Sequence, residues 1–163
     1  MGLVGELRIR QAVRALLLDE DDQVLLAHFN WEGLDVPGGF WACPGGGVDA
    51  GESPTVALRR ELIEELGLEA ADIKGPVWRL TRLFPMEDWD GQTDVTYLVR
   101  APHFEPRAQV DLTAENVHGV RWFSPAELAA GVETFSPRDL HEQVVRVLAD
   151  GVPEQVREIP PLG

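Results

Sequence analysis

Apolar and polar residues along this chain fall in blocks that predict several β-strands. Two apolar runs, residues 9–18 and 23–29, flank the polar segment 19–22, and this order predicts a β-hairpin because short polar turns join neighbouring strands. Further strands are expected at residues 76–84, 93–100 and 118–123, which are rich in β-branched and other apolar side chains.

The pattern between the strands predicts one helix with both of its ends marked. Three leucines recur every four residues and form the stripe that faces the core: Leu58, Leu62 and Leu66. Ser53 has the chemistry of an N-cap, and Pro54 suits the first helical position. Gly67 is placed to end the helix in a left-handed conformation.

Two further helices are expected at residues 125–130 and 137–149. Strands that flank a helix and then return to more strands and helices indicate a layered α/β domain. We therefore expect a single domain over residues 1–150. Residues 151–163 contain three prolines and have no periodicity, which predicts an irregular C-terminal tail.

The composition fits a small enzyme with one core, because 44% of the 163 residues are hydrophobic. The 28 acidic and 14 basic side chains give a formal net charge of −14, which argues against a general nucleic-acid-binding surface. An anionic substrate would meet a repelling field on such a protein. Bound cations would relieve that repulsion locally.

Cys43 is the only cysteine, so an intramolecular disulfide and a cysteine-rich zinc site are both excluded. We expect Cys43 to be a small buried residue, because no partner that would activate it as a nucleophile is visible. A cytoplasmic location is favoured. No apolar run is long enough to span a bilayer, so no membrane partner is expected, and the chain is expected to act as a monomer or a homodimer.

The residues most suited to catalysis are the glycines and glutamates of segment 46–68. At a helical step of about 100° per residue, Glu61, Glu64 and Glu65 fall within a sector roughly 80 to 100° wide. Such crowding of carboxylates is costly unless cations sit among them, and Mg²⁺ prefers oxygen ligands of this kind. Taken alone, the helix could equally be a solvated acidic face, and the run at 44–47 could be only a tight turn.

The spacing of the glycines and glutamates, taken together, favours a metal site over a solvated acidic face. Gly46 is followed after five residues by Glu52, and after seven more by the run Arg60-Glu-Leu-Ile-Glu-Glu-Leu-Gly-Leu68. This segment resembles a complete Nudix box, the signature of the Nudix pyrophosphohydrolases. The resemblance implies an α/β/α sandwich with a mixed, curved sheet, in which the box forms a loop, a helix and a loop at the substrate cleft. It also implies hydrolysis of a diphosphate linkage with Mg²⁺ as cofactor and Mn²⁺ able to substitute.

The resemblance further implies roles for individual residues. Glu61, Glu64 and Glu65 would hold metal, with a carbonyl of Gly45 or Gly46 as a further ligand. Arg60 would orient the carboxylates and Glu52 would brace the loop, while Gly46, Glu52 and Gly67 serve as structural positions of the box. A further acid is expected after the box, and Glu115 is the best candidate. Two alternatives stay open here: Glu115 as an ordinary turn residue, and Glu87, Asp88 or Asp90 as the acid.

The implied substrate is a nucleotide-like diphosphate, such as a nucleoside triphosphate or ADP-ribose, with nucleic acid expected only as an RNA 5′ end. Arg79 and Arg82 are expected to share a strand face, where they could meet phosphates or solvent. Trp31 and Trp89 lie in polar loops and could stack on a base. A non-catalytic nucleotide-sensing module on the same fold remains the alternative, because fold alone does not determine function.

Overall fold

The computed structural model describes residues 6–85 and 88–160. Its strands are β1 (Ile9–Leu18), β2 (Val24–Phe29), β3 (Phe40–Ala42), β4 (Gly45–Gly47), β5 (Asp72–Leu83), β6 (Gly91–Arg100), β7 (Val117–Phe123), β8 (Phe135–Ser136) and β9 (Arg157–Ile159). Its helices are α1 (Pro54–Leu66), α2 (Pro125–Ala130) and α3 (Leu140–Asp150), with a 3₁₀ turn at Leu112–Glu115. None of the helices in these two ranges is long and apolar enough to cross a membrane.

The strands form one mixed, curled sheet in the order β8-β3-β2-β1-β6-β5-β9, with β4 paired to β1 and β7 paired to β2. The centre of the sheet is the parallel pair of β1 and β6, in register from Ile9 opposite Gly91 to Leu18 opposite Arg100. Because alternate residues of a strand face opposite sides, β1 contributes to a different core on each face of the sheet.

Helices cover both faces, as the expected sandwich requires. The odd-numbered residues of β1, such as Val13 and Leu17, pack with Leu58 and Leu62 of α1. The even-numbered residues at the end of β1 pack on the opposite side with α2 and α3. That second core includes Leu16, Leu18, Leu128, Leu140, Val144 and Val147. The expected α/β/α architecture is confirmed.

Helix α1 begins and ends where the sequence predicts. The Ser53 hydroxyl accepts a hydrogen bond from the Val56 amide at 3.3 Å, and Pro54 is the first helical residue. Gly67 adopts a left-handed conformation with φ of 71° and donates its amide to the Ile63 carbonyl. A side chain on Gly67 would also crowd the Arg107 carbonyl.

Three elements differ from the sequence prediction. The expected turn at residues 44–47 contains strand β4, because the glycine backbone lies close enough to β1 to pair with it. Helix α3 begins at Leu140 and not at 137, because the preceding chain is extended in β8 and then turns, with the Leu140 amide bonded to the Pro137 carbonyl. The third difference lies in the tail.

The tail expected to be irregular over residues 151–163 forms strand β9 within its described part. β9 pairs in parallel with β5, with Ile159 opposite Leu80, and Ile159 is buried. Without β9, this edge of β5 would present unpaired backbone groups to solvent. The short strand therefore belongs to the sheet, although its few residues carry no alternating pattern that sequence reading could detect.

Candidate active site

Three carboxylates meet beside the C-terminal half of helix α1. Glu61 and Glu64 project from α1, and Glu115 is the last residue of the 3₁₀ turn at Leu112–Glu115. One carboxylate oxygen from each residue lies within 4.8 Å of the other two. We call these three residues the carboxylate cluster. Oxygen ligands grouped in this way are the kind that hard divalent cations bind.

Glu65, the third glutamate that the sequence assigned to metal, lies beside the cluster and is almost completely buried, at 1% exposure. Burial, together with the neighbouring carboxylate of Glu61, raises the pKa of Glu65 well above its usual range. Within the described parts of the chain, both oxygens of Glu65 and Oε2 of Glu61 are buried without a hydrogen-bond partner. Unpaired buried carboxylate oxygens are costly, and either a bound cation or a proton on Glu65 would lower that cost.

Glu115 joins the cluster from outside the box. Its pKa is raised, first by burial and then by the charges of Glu61 and Glu64. The backbone around it is held by Asp111, whose carboxylate accepts hydrogen bonds from the amide and the hydroxyl of Thr113. The structure thus brings Glu115 to the box glutamates, and of the alternative acids, Asp90 instead accepts the Arg8 amide at the start of β6. Glu87 lies outside the described residues.

Arg60 connects the box loop to the box helix. Its guanidinium donates two hydrogen bonds to Glu52, both at 2.9 Å, and a third to the Gly47 carbonyl at 3.1 Å. It also donates to Glu61 at 2.9 Å and to Glu64 at 3.4 Å. The hydrogen bonds from Arg60 lower the pKa of Glu52 to about 2, so Glu52 remains ionised at neutral pH.

Gly46 lies directly against the Glu61 carboxylate. A Cβ at Gly46 would stand 2.5 Å from Oε1 of Glu61, and one at Gly45 would stand 1.9 Å from the Val13 carbonyl oxygen. Neither position could carry a side chain without displacing its neighbour. The two glycines therefore allow the backbone of β4 to approach both β1 and the glutamates.

A cavity of about 430 Å³ opens beside the carboxylate cluster, with Glu115 in its wall. Three arginines line it: Arg10 and Arg14 from β1, and Arg82 from β5. Its aromatic lining consists of Phe29, Trp31, Phe40, Trp78 and Phe84. The site therefore combines an acidic end, suited to cations, with a cavity of cationic and aromatic side chains, suited to phosphates and flat rings.

The model of the NUDIX domain matches this chain over residues 8–144. The chain belongs to the Nudix family of hydrolases. Among its Nudix relatives, an RNA pyrophosphohydrolase of Nitratiruptor sp. is 34% identical over 147 residues, covering 85% of this chain and 92% of that protein. Nudix hydrolase 25 of Arabidopsis thaliana is 30% identical over 154 residues, covering 84% of each chain.

Solved structures agree on the Nudix fold. The solution structure of the E. coli ORF135 protein has a TM-score of 0.61 and 27% identity, covering 94% of this chain and all of that one. The NUDIX domain of Shewanella oneidensis NrtR, solved in complex with ADP ribose, has a TM-score of 0.63 and 20% identity, covering 91% of this chain and 93% of that one. The second likeness concerns the fold alone.

The residues predicted to bind substrate separate into two groups in this Nudix hydrolase. Trp31 and Arg82 line the cavity, as the sequence reading allowed. Arg79 is instead ion-paired with Glu158 near the tail strand, and the expectation that it shares a face with Arg82 is wrong. Side chains three residues apart on a strand point to opposite faces. Trp89 lies in the connection between β5 and β6 and does not line the cavity.

Sequence reasoning missed several polar residues that the structure places in the cavity of this Nudix hydrolase, among them Arg10, Arg14, Gln92 and Asp94. A signal was present. All four residues occupy even-numbered positions, so the two on β1 share one face of that strand and the two on β6 share one face of theirs. The sequence did not predict that β1 pairs in parallel with β6, and this pairing brings the four residues together.

Proposed function

We propose that this protein catalyses the Mg²⁺-dependent hydrolysis of a diphosphate linkage in a nucleotide substrate, with Mn²⁺ able to replace Mg²⁺. The observation that carries the proposal is the carboxylate cluster of Glu61, Glu64 and Glu115, with buried carboxylate oxygens that lack partners among the described residues. The donor set fits the metal, because Mg²⁺ takes carboxylate oxygens together with substrate phosphates.

The three cluster residues would hold the metal, with Glu65 next to them and a carbonyl of Gly45 or Gly46 as a further ligand. Bound divalent cations would neutralise the phosphates and lower the pKa of the attacking water. Glu65 is too deeply buried to meet bulk solvent and faces Glu61, so we assign it to the metal-holding group rather than to solvent-exposed acid–base work.

Arg60 and Glu52 position the cluster. A guanidinium that reaches two cluster glutamates, the Gly47 carbonyl and Glu52 at once fixes the box loop against the helix. Its charge partly offsets the mutual repulsion of the glutamates, while the separate pair with Glu52 keeps the arginine itself in place. These two residues therefore act on the reaction through the glutamates.

For the substrate, we propose a nucleotide whose diphosphate reaches the cluster from the arginine-lined cavity, with the 5′-phosphorylated end of an RNA as the first candidate. Two relatives named RNA pyrophosphohydrolase, from Nitratiruptor sp. and from Pseudomonas aeruginosa, are 34% and 33% identical over 85% and 86% of this chain. The net charge of −14 opposes binding along an RNA strand but not entry of its terminal phosphates at a cation site. Nucleoside triphosphates and ADP-ribose are the small-molecule candidates, and such substrates favour a cytoplasmic role.

The test is a hydrolysis screen with identified products. Purified protein would be incubated with 5′-triphosphorylated RNA, nucleoside triphosphates and ADP-ribose, each with Mg²⁺, with Mn²⁺ and with a chelator. We expect cleavage of a diphosphate linkage in at least one substrate, abolished by the chelator and reduced at least a thousandfold in Glu64→Gln. Binding of nucleotides without release of any cleavage product would contradict the proposal and support a nucleotide-sensing module.

A further inference from the structure

The cavity wall contains a hydrogen-bonded chain of four side chains that runs across β1 and β6. Arg10 donates to Oε1 of Gln92 at 2.8 Å, and Nε2 of Gln92 donates to Oδ1 of Asp94 at 2.8 Å. The same carboxylate is ion-paired with Nε of Arg14 at 3.0 Å. In the parallel register, Arg10 lies opposite Gln92. Asp94 lies opposite Ala12, which is two residues before Arg14 on β1. All four residues line the cavity.

Arg10 and Arg14, which we call the arginine pair, also contact the box loop or the residue just before it. Nη1 of Arg14 donates to the Cys43 carbonyl at 2.9 Å, immediately before the loop. The guanidinium of Arg10 lies so close to Gly47 that a Cβ there would stand 2.5 Å from Nη2. The arginine pair therefore lies between the cavity and the loop that leads to the carboxylate cluster. Because Arg10, Arg14 and Glu115 line the same cavity, a phosphate bound there beside the cluster could reach these two guanidiniums.

Asp94 places a negative charge in a cavity that is otherwise suited to anions, and a positioning role would explain its presence. Its side chain is only 16% exposed, and Arg14 beside it is 15% exposed, so their contact is poorly screened by water. A carboxylate there repels a polyanionic substrate, which weakens binding. It also fixes Arg14 in one orientation, which strengthens binding because a pre-organised guanidinium loses less freedom when a phosphate arrives.

We propose that Asp94 and Gln92 are positioning residues that hold the arginine pair for the non-scissile phosphate of the substrate. Arg14 keeps Nη2 for the ligand after its Nε and Nη1 are engaged by Asp94 and Cys43, and Arg10 keeps donors beyond the Nη1 that Gln92 engages. This inference rests on the proposed function, because it assumes that a phosphate enters the cavity. It adds a second place at which the substrate is held, separate from the metal.

The proposal predicts the sign of one substitution. If Asp94 acted only as a background charge, Asp94→Asn would strengthen the binding of an anion, because it removes a repelling group. If Asp94 positions Arg14, the same substitution weakens binding. We expect the Kd of ADP, measured calorimetrically with Mg²⁺, to rise about tenfold in Asp94→Asn, with KM rising in parallel for whichever substrate the screen identifies and kcat changing less than about threefold.

A double-mutant cycle separates positioning from loss of stability. Arg14→Gln should raise the Kd of ADP at least tenfold, and adding Asp94→Asn to it should change the Kd less than threefold, because the residue that Asp94 positions is already gone. Should Asp94→Asn fold poorly by thermal melting, Gln92→Leu carries the test, with an expected threefold to tenfold rise in Kd. The matched control is Asp22→Asn, which removes the same charge and breaks the Asp22–Arg100 ion pair at the other end of the same two strands.

Unchanged or tighter ADP binding in Asp94→Asn, or effects of Asp94→Asn and Arg14→Gln that simply multiply, would overturn the inference. The proposed function is tested separately by the wild-type protein. Wild-type protein that binds ADP but cleaves no diphosphate would contradict the proposed function and leave the phosphate subsite standing. Wild-type protein that binds no ADP at all would overturn the phosphate subsite, whereas the proposed function would still be decided by the hydrolysis screen.

Discussion

The acidic and basic ends of the site are built in opposite ways. In the carboxylate cluster and the adjacent Glu65, buried oxygens lack partners among the described residues, although Arg60 is ion-paired with Glu61 and Glu64. In the arginine pair, each guanidinium is already held by a side chain or carbonyl of the protein. The acidic end is therefore incomplete without cations, whereas the basic end is pre-organised for an anion.

This difference shows where the protein itself supplies order and where the ligand must. Metal binding and stability should be linked strongly at the acidic end, because each bound cation relieves an electrostatic cost that exists in the metal-free protein. Substrate affinity, in contrast, should depend on the arrangement of the arginine pair and change little with metal-free stability. The predictions below separate these two consequences.

The largest effect is expected from Glu65→Gln. We expect kcat/KM to fall by several powers of ten, because a negative charge beside the metal is lost. The metal-free protein should nevertheless become more stable at neutral pH, because the raised pKa of Glu65 makes this carboxyl take up a proton on folding, a cost that glutamine does not carry. Tm should rise by roughly 2 to 4 °C for each kcal/mol of that cost. Differential scanning calorimetry in chelator measures the second quantity. The exposed neighbour Glu69→Gln is the matched control, and a lower Tm in Glu65→Gln would contradict our account of the acidic end.

A smaller loss is expected from Arg60→Lys. Lysine keeps the positive charge but cannot donate two parallel hydrogen bonds to Glu52 while also reaching Glu61 and the Gly47 carbonyl. We expect kcat/KM to fall about 10-fold to 100-fold and the affinity for Mn²⁺ to fall with it. If only KM changed, with Mn²⁺ affinity as in the wild type, Arg60 would belong to substrate binding and not to the acidic end.

Trp31 and Trp89, which the sequence offered as residues that stack on a base, are expected to differ in their effect on substrate binding. Trp31 lines the cavity and meets Phe40 edge-to-face, with ring centroids 6.0 Å apart, whereas Trp89 does not line the cavity. Trp31→Ala should raise KM about tenfold through lost stacking on a base, while Trp89→Ala should leave KM within about twofold of the wild type. Steady-state kinetics on the substrate found in the screen would decide, and equal effects of both variants would contradict the assignment of the cavity.

The smallest effect concerns Cys43, whose carbonyl holds Arg14 while its side chain takes no part. Burial raises the pKa of the Cys43 thiol to about 12, so at pH 8 only about one molecule in ten thousand carries a thiolate. We expect iodoacetamide to modify the folded protein at least a hundredfold more slowly than the urea-unfolded protein, as measured by mass spectrometry. Rapid modification of the folded chain would show that this part of the cavity wall opens.

Local patterns predicted the acidic end well. The Ser53 cap, the first helical Pro54, the left-handed Gly67 and the leucine stripe all follow from interactions within a few residues, and the structure confirms them. The grouping of Glu61 with Glu64 is likewise a consequence of helical spacing. The contact of Arg60 with Glu52 is also local, because the two residues are only eight positions apart in the sequence.

Long-range pairing governs what the sequence left open. The chain of Arg10, Gln92, Asp94 and Arg14 joins residues about 80 positions apart through the parallel pairing of β1 with β6. Strand β9 likewise forms only because β5 offers it an edge, and three residues are too few for periodicity to be detected. Glu115 could be chosen as a candidate by its position after the box, but its approach to Glu61 depends on long-range contacts, such as the hydrogen bond from the Gln109 amide to the Glu64 carbonyl.

The central claim is that Glu61, Glu64 and Glu115 form a divalent cation site beside an anion-binding cavity. It is tested most directly by Mn²⁺ titration without substrate, followed by electron paramagnetic resonance of the free ion, for the wild type, Glu61→Gln, Glu115→Gln and the exposed control Glu142→Gln. We predict that the wild type and the control bind Mn²⁺ equally and that both cluster variants bind it at least tenfold more weakly. Mn²⁺ binding by the cluster variants with wild-type affinity would contradict the account.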